Sequence, residues 1–384
     1  MRVLITDGNE RAALAVARSL VAAGHDVYAA ASERFSLAGA ARGVGSLRIE
    51  ADPLAQPLRF ARAVGRAASR CNIDVVLPVT DGSVEATLLH QAQFHRRVVL
   101  PLPDLTAYRT ASDKAAVLAY ARSAGLDVPA TRVLSSPNDP DLPGPDFFPA
   151  VLKSHRSVVP LAWANSARRR LGVAFVQHSD ACRHALQRFP PEAFPVLVQK
   201  WVRGPGEGLF LLRWDGQIVA AFAHRRLREK PPEGGVSVYR ESIEPPPELV
   251  AAGARLLDAL DWRGVAMIEC KRDLDTGRHV LMEVNGRFWG SLQLAIDAGV
   301  DFPALLLACA AGAVPAAPSG YRAGVRGRWF WGEMDHVYLR RGSRLSALAE
   351  VMRFRPGRDH EDVWRWHDPG PFMVESLRRV GLLR

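Results

Sequence analysis

The sequence predicts an α/β protein, a parallel β-α-β unit followed by two α+β units. Three observations carry that prediction. Short apolar strands alternate with helical segments over the first hundred residues. From about residue 150 onward, strands follow one another through tight turns, which is the mark of antiparallel pairing. A pair of patterned acidic strands lies between residues 264 and 287.

The N-terminal unit reads in order. Val3-Leu4-Ile5-Thr6 is a buried strand, Asp7-Gly8-Asn9 a turn, and 11–23 a helix closed by Gly24. Residues 26–30, 74–79 and 98–101 are further strands. This alternation is the β-α-β pattern of a parallel sheet. Only Gly8 follows the first strand, so the G-x-G-x-x-G dinucleotide motif is missing. Thr80-Asp81-Gly82-Ser83 follows a strand at the ligand-collecting end of such a sheet and reads first as a helix cap. The change of pattern places a boundary near residue 105.

Ser112 is the expected N-cap of a helix running to about Ser123. Lys114 then sits in the first turn, where the helix dipole disfavours a cation, which points to a role such as reaching a phosphate. Residues 137–149 are loop chemistry, and the strand 148–153 ends on Lys153. Another strand spans 195–202 and is followed by a turn at 204–208. Residues 209–213 and 217–222 form a hairpin through Asp215-Gly216. His224, Arg226 and Arg228 alternate, giving either an anion-binding face or an exposed basic edge strand.

The acidic hairpin is the most informative feature. A turn centred on Thr276 sets Glu269 opposite Glu283 and puts Glu269, Lys271, Leu281, Glu283 and Asn285 on one face. Like charges opposite one another destabilise a sheet, by about 4 kcal/mol at ~4 Å near a surface. A cation is therefore expected there, and without one Glu283→Gln relieves repulsion. Two carboxylates and an amide oxygen suit Mg²⁺ carrying phosphates. The alternative is a solvated face neutralised by Lys271 and Arg287. Lysine use sharpens the point. Of 50 Lys plus Arg only Lys114, Lys153, Lys200, Lys230 and Lys271 are lysines, all within residues 114–271. Where arginine is the default cation, a retained lysine marks a place that needs a compact ammonium.

Composition sets outer bounds. The chain has 384 residues, 48% of them hydrophobic, enough for large cores, and a net charge of +10. The basic residues are scattered, which favours small anionic ligands over nucleic acid. The absence of an apolar run of membrane-spanning length and an N-terminus that enters a strand directly lead to the expectation of a cytoplasmic protein without a membrane partner. Four cysteines without paired spacing read as reduced thiols. Phe288-Trp289 and the following residues read as core packing at the start of a helix. The last seventy residues, with Trp329, Trp331, Trp364 and Trp366, read as a small Trp/Arg-rich tail containing helices at 345–351 and 374–380.

Together, Asp113-Lys114, the strand ending in Lys153, Gln199-Lys200-Trp201-Val202 and the hairpin bearing Glu269 and Glu283-Val284-Asn285-Gly286-Arg287 resemble the ATP-grasp superfamily, nearest to its carboxylate–amine ligases and carbamoyl-phosphate-synthase-like proteins. The resemblance runs from residue 1 to about 310. It implies a pre-ATP-grasp domain at 1–105, a small subdomain at 106–192, a C-terminal subdomain with the metal site at 193–315, and a tail at 316–384, the two subdomains clasping ATP. It also implies roles. Lys114 and Lys153 hold ATP phosphates, the backbone of Gln199, Lys200, Trp201 and Val202 binds adenine, and Glu207 binds the ribose, one residue further along than in some relatives. Glu269, Glu283 and Asn285 hold Mg²⁺, with Mn²⁺ as a substitute. Arg287, Lys153 and Arg226 act on the transferring group and an anionic substrate.

One departure is clear. The glycine-rich lid usual after the Lys153 equivalent is replaced by an arginine-rich segment, 154–172. The expected activity is ATP-dependent carboxylate–amine ligation through an acyl phosphate, acting on a small acid and a small amine, with a homodimer left open. The alternatives are bicarbonate activation, a nucleotide-binding regulator without turnover, and a basic nucleic-acid-binding protein.

Overall fold

The structure is a computed structural model that describes residues 1–384 except 161–167, 171, 233, 314, 317, 319, 341 and 384. The N-terminal unit comprises β1 (Arg2–Ile5), α1 (Arg11–Ala22), β2 (Asp26–Ala31), β3 (Val44–Arg48), α2 (Pro57–Arg70), β4 (Val75–Leu77) and α3 (Asp81–Leu89). The strands pair in parallel in the order β3-β2-β1-β4. Alternate residues of β1 face two cores. Leu4 packs with Phe60 and Val64 of α2, while Val3 and Ile5 pack with α1. The strand expected at 98–101 reduces to one bridge, Val75 with Val99, because Pro101 and Pro103 cannot continue a ladder. Thr80 caps α3 with Ser83 in a capping box, as its sequence suggests.

Two helices lead into the next unit, α4 (Leu105–Ser112) and α5 (Lys114–Ser123). The cap of α5 is Asp113 rather than Ser112. Its carboxylate accepts from the amides of Ala115 and Ala116 at 2.9 and 3.0 Å, while Ser112 ends α4. Then come β5 (Thr131–Leu134), β6 (Ala150–Ser154), β7 (Val158–Pro160), β8 (Arg168–Arg170), β9 (Val173–Val176), α6 (Ser179–Leu186) and β10 (Val196–Lys200). An antiparallel sheet runs β5-β10-β6-β9. One face is sealed by α6 through Leu152, Val176, Leu186 and Val198. The opposite face carries Lys153. β7 and β8 pair with each other, so Arg168–Arg170 lie on a described strand; of the arginine-rich segment 154–172, residues 161–167 and 171 lie outside the described residues.

The remaining chain builds a seven-stranded sheet. Its elements are β11 (Gly206–Trp214), β12 (Gln217–Lys230), β13 (Val236–Ile243), α7 (Pro247–Ala259), β14 (Gly264–Arg272), β15 (His279–Asn285), α8 (Leu292–Ala298), α9 (Phe302–Ala310), β16 (Arg326–Arg328), α10 (Phe330–Leu339), α11 (Arg344–Met352), β17 (Asp359–Glu361) and α12 (Gly370–Arg379). The order is β15-β14-β11-β12-β13-β16-β17. Asp215 and Gly216 close the β11–β12 hairpin with φ of 47° and 80°, the left-handed pair a two-residue hairpin turn requires.

Two expectations change here. β12 is interior, flanked by β11 and β13, so its basic stretch is no edge strand. Bulges after Arg226 and Arg228 break the alternation, and Arg228 turns to Glu333 while Arg226 turns to Glu269. The C-terminal segment is more than a packed tail, since β16 and β17 extend the sheet. It is tied to the N-terminal unit by Arg11–Asp362 (2.7 Å) and Arg18–Asp368 (2.8 Å). One face of the sheet packs on α1, α8 and α9 through Phe210, Phe222, Trp289 and Phe302, and the other on α4, α5 and α7. Phe288 and Trp289 are core, and the helix after them starts at Leu292. Among the described residues no single helix is long and apolar enough to cross a membrane.

Candidate functional site

β14 and β15 pair with Glu269 opposite Glu283 and Met267 opposite Asn285, so the two carboxylates and the amide share a face. A bulge at Met282 shifts the register beyond them. Cys270 then pairs with Leu281, and both are fully buried on the opposite face. Leu281 therefore leaves the face on which simple alternation put it.

Arg287 and Lys271 contribute to answering this charge, but the cations in direct contact with it are others. Arg226 Nη2 lies 2.7 Å from Glu269, and Lys114 Nζ lies 3.7 Å from Glu283. Arg226 reaches across β11 because Gly206 and Gly208 have no side chains there. A Cβ on Gly206 would stand 2.8 Å from Arg226 Cδ. Lys114 is buried and also donates to Ser157 Oγ at 2.8 Å. Asn285 Nδ2 donates to Glu283 at 3.1 Å, and Arg287 Nη2 to Asn285 Oδ1 at 3.5 Å. Burial raises the Glu283 carboxyl, but Lys114 and Lys153 together outweigh it and hold the pKa at about 2. Burial depresses the Lys153 ammonium, with Glu283 and Glu269 opposing that shift. Lys153 thus answers both carboxylates across the cleft between the sheets.

Arg287 donates through Nε to Asp81 at 2.9 Å and through Nη1 to the Phe288 carbonyl at 3.1 Å. Burial works against its charge, yet Asp81 keeps its pKa above the ordinary guanidinium value. Asp81, Glu85, Tyr108, Lys114, Arg156, Ser157, Glu283 and Asn285 enclose a cavity of about 20 Å³, room for about one water. In sequence, Asp81 belongs to a segment that reads first as a helix cap and second as a substrate contact. Its link to Arg287 spans 206 residues and leaves no local trace.

The residues expected to bind adenine, Gln199 to Val202, divide. Gln199 is buried on the face of Lys153 and donates from Nε2 to Thr131 Oγ1 at 3.3 Å. Lys200 pairs with Ala150, so its exposed side chain turns to the other face. The amides of Lys200 and Trp201 donate to Ala130 and Pro149 carbonyls at 2.9 Å each, which leaves them no hydrogen for an adenine edge. The Val202 carbonyl accepts from Lys271 Nζ at 3.1 Å. The cleft face also presents two residues that sequence reading missed. Val173 and Phe175 pair with Lys153 and Val151 and are 63% and 50% exposed, while Phe175 meets the Trp201 ring edge-on at 5.7 Å. The alternation in Val173-Ala174-Phe175-Val176 was the available signal.

Glu207 faces away from the acidic face. It pairs with Cys270 and Arg225, out of phase with Gly206 and Gly208, and accepts from His279 Nε2 at 2.8 Å on the face away from Glu269. The one-residue displacement seen in sequence is half a strand period, enough to reverse the side chain. Calorimetry separates the two residues. Lys153→Ala is expected to weaken ATP at least about tenfold, and Glu207→Gln less than about twofold. Equal losses would return Glu207 to the nucleotide.

Among the described residues no three His, Cys, Asp or Glu side chains converge as a metal cage. Glu269, Glu283 and Asn285 instead form a hard-oxygen face already attended by cationic groups, which fits Mg²⁺ that completes its shell with phosphate and water.

The family described as ATP-grasp in the biosynthetic pathway with Ter operon matches residues 193–331. No curated protein sequence matches the chain. Among solved structures, biotin carboxylase from Campylobacter jejuni superposes with a TM-score of 0.64 at 14% identity, covering 84% of this chain and 74% of that one. L-amino acid ligase from Bacillus licheniformis gives 0.60 at 15%, covering 80% and 73%. The biotin carboxylase domain dimer of Hydrogenobacter thermophilus 2-oxoglutarate carboxylase, in complex with MgADP, ADP and bicarbonate, gives 0.63 at 13%, covering 84% and 73%. Sheet order and superposition agree: the chain has the fold of these carboxylases and ligases, and residues 193–331 match an ATP-grasp family.

Proposed function

We propose that the protein is an ATP- and Mg²⁺-dependent carboxylate–amine ligase. The observation that carries this reading is the convergence of Glu269, Glu283 and Asn285 with Lys114, Lys153, Arg226 and Arg287 around one cleft. A carboxylate oxygen of the acid attacks the γ-phosphorus and ADP departs. The amine nitrogen then attacks the acyl carbon, phosphate leaves, and the nitrogen loses a proton. Mg²⁺ held by the acidic face would supply neutralisation of the phosphate charge. Lys114 and Lys153 position phosphate oxygens, and Arg287, fixed by Asp81, offers its remaining donors to the group in flight. Val173 and Phe175 give the base an apolar wall.

Bicarbonate in place of the acid is the second reading, supported by the likeness to biotin carboxylases. Hydroxylamine separates the two. With pooled carboxylic acids, ADP release is expected to match hydroxamate formation. Release driven by bicarbonate alone, without hydroxamate, would favour carboxylation. No release with any acid or with bicarbonate would favour a regulator.

A further inference from the structure

The sheet face that sets Glu269 opposite Glu283 also sets two cations together, for Arg226 on β12 pairs directly with Arg240 on β13. Like charges in register destabilise a sheet. Arg226 is answered by Glu269 and Glu229. Arg240 is fully buried and has Asp362, which it shares with Arg11. Its Nε and Nη1 have no partner among the described residues.

The neighbouring groups repeat the pattern. His224 lies two residues from Arg226 on the same face and is 1% exposed, and its Nε2 is unpartnered. Burial, with Arg226 and Arg240 adding to it, keeps the ring neutral. Ser291 Oγ lies 3.4 Å from Nδ1; with the hydroxyl as donor in this pair, the tautomer the proposal requires, the ring proton sits on Nε2 and makes it a donor. Trp289, 2% exposed, also has a free Nε1. The Phe210 ring holds both, 4.8 Å from His224 and 4.3 Å from Trp289. Gly208 opposite His224 and Gly327 opposite Arg240 keep this face open to long side chains. Buried donors left without acceptors carry an uncompensated desolvation cost. Water would satisfy one or two N–H groups and neutralise no charge. A carboxylate or phosphate does both.

We propose that Arg240, with His224 and Trp289, receives an anionic group of the second substrate, so that the amine acceptor carries a carboxylate or a phosphate. Arg240 pairs with Arg226, which contacts Glu269, so this subsite adjoins the acidic face proposed for phosphoryl transfer. The proposal rests on the ligase reading only in naming the ligand an acceptor.

Anion binding is measured without turnover, by calorimetry and thermal unfolding with acetate and with inorganic phosphate in an otherwise anion-poor buffer. Wild type is expected to bind at least one of them and to unfold at higher temperature with it. The preferred anion tells carboxylate from phosphate. Arg240→Lys keeps a charge for Asp362 but loses the Nε and Nη1 donors, and is expected to bind about tenfold more weakly. Lys153→Ala removes phosphate affinity at the nucleotide cleft and is expected to retain this binding. Should Arg240→Lys fail to fold, His224→Gln tests the same site, with an expected loss of about threefold or more. Wild type that binds neither anion, or binding unchanged in Arg240→Lys and His224→Gln, overturns the subsite and leaves the ligase reading standing. In the turnover assay, amino acids that outperform the same amines without their carboxylates support it, and parity contradicts it.

Discussion

Arg287→Ala is expected to lower ATP- and acid-dependent hydroxamate formation by about 10²–10³-fold while changing ATP affinity by less than about threefold. The size follows from removing a preorganised donor aimed at charge that develops only in the transition state. The asymmetry follows from position. Arg287 touches Asn285 and Asp81, whereas Lys114 and Lys153 attend the Glu283 carboxylate and are the residues assigned to the nucleotide. Arg287→Lys keeps a charge but loses the fork that binds Asp81 and the Phe288 carbonyl together, so partial recovery is expected. Initial rates and calorimetry on both variants measure this. Equal losses in binding and rate would instead make Arg287 a tie between β15 and α3.

The second large effect concerns stability, and its sign is the reverse of what the sequence suggests. If Glu283 merely repelled Glu269, Glu283→Gln would be neutral or stabilising without metal. In the structure Glu283 offsets Lys114 and Lys153. Removing its charge leaves two largely desolvated ammonium groups with one carboxylate fewer. Breaking a buried pair costs 3–5 kcal/mol, and with the Glu283 side chain 28% exposed a loss of about 2 kcal/mol is expected. The pH dependence gives a second readout. The folded pKa of about 2 lies below the ordinary value of 4.5, so this stabilisation is complete above about pH 4.5 and is lost as pH falls through about 2. The gap between wild type and variant should therefore close over that window. Denaturant unfolding at pH 7 and pH 3 measures it. A variant as stable as wild type at pH 7 would mean the lysines are held by other groups. Mg-ATP should stabilise wild type more than the variant, with about 2.7 kcal/mol available at a hundred times Kd.

Local chemistry was legible in the sequence, and long-range geometry was not. The acidic hairpin, the Asp215-Gly216 turn and the first β-α-β steps all announce themselves within one continuous stretch of chain. Glu269 met Glu283 because period-2 alternation and one turn suffice to pair them. The Met282 bulge escaped notice, since an extra strand residue has no composition of its own, and it moved Leu281 to the core. Glu207 lies on the opposite face for a related reason, one residue of phase in a glycine-rich turn. The choice of Asp113 over Ser112 as cap turned on the end of α4, which Ser112 occupies. The roles of Arg226 and Asp81 depend on partners 43 and 206 residues away, beyond any local pattern.

The central claim is that a carboxylate oxygen attacks phosphorus, and an isotope tests it directly. With carboxylic acids labelled with ¹⁸O in the carboxylate, an amine acceptor and Mg-ATP, each inorganic phosphate released is expected to carry one labelled oxygen, in step with ADP. Mass spectrometry of the phosphate reads the label. Turnover that yields ADP and unlabelled phosphate would show that water, not the acid, receives the phosphoryl group, and would contradict the account.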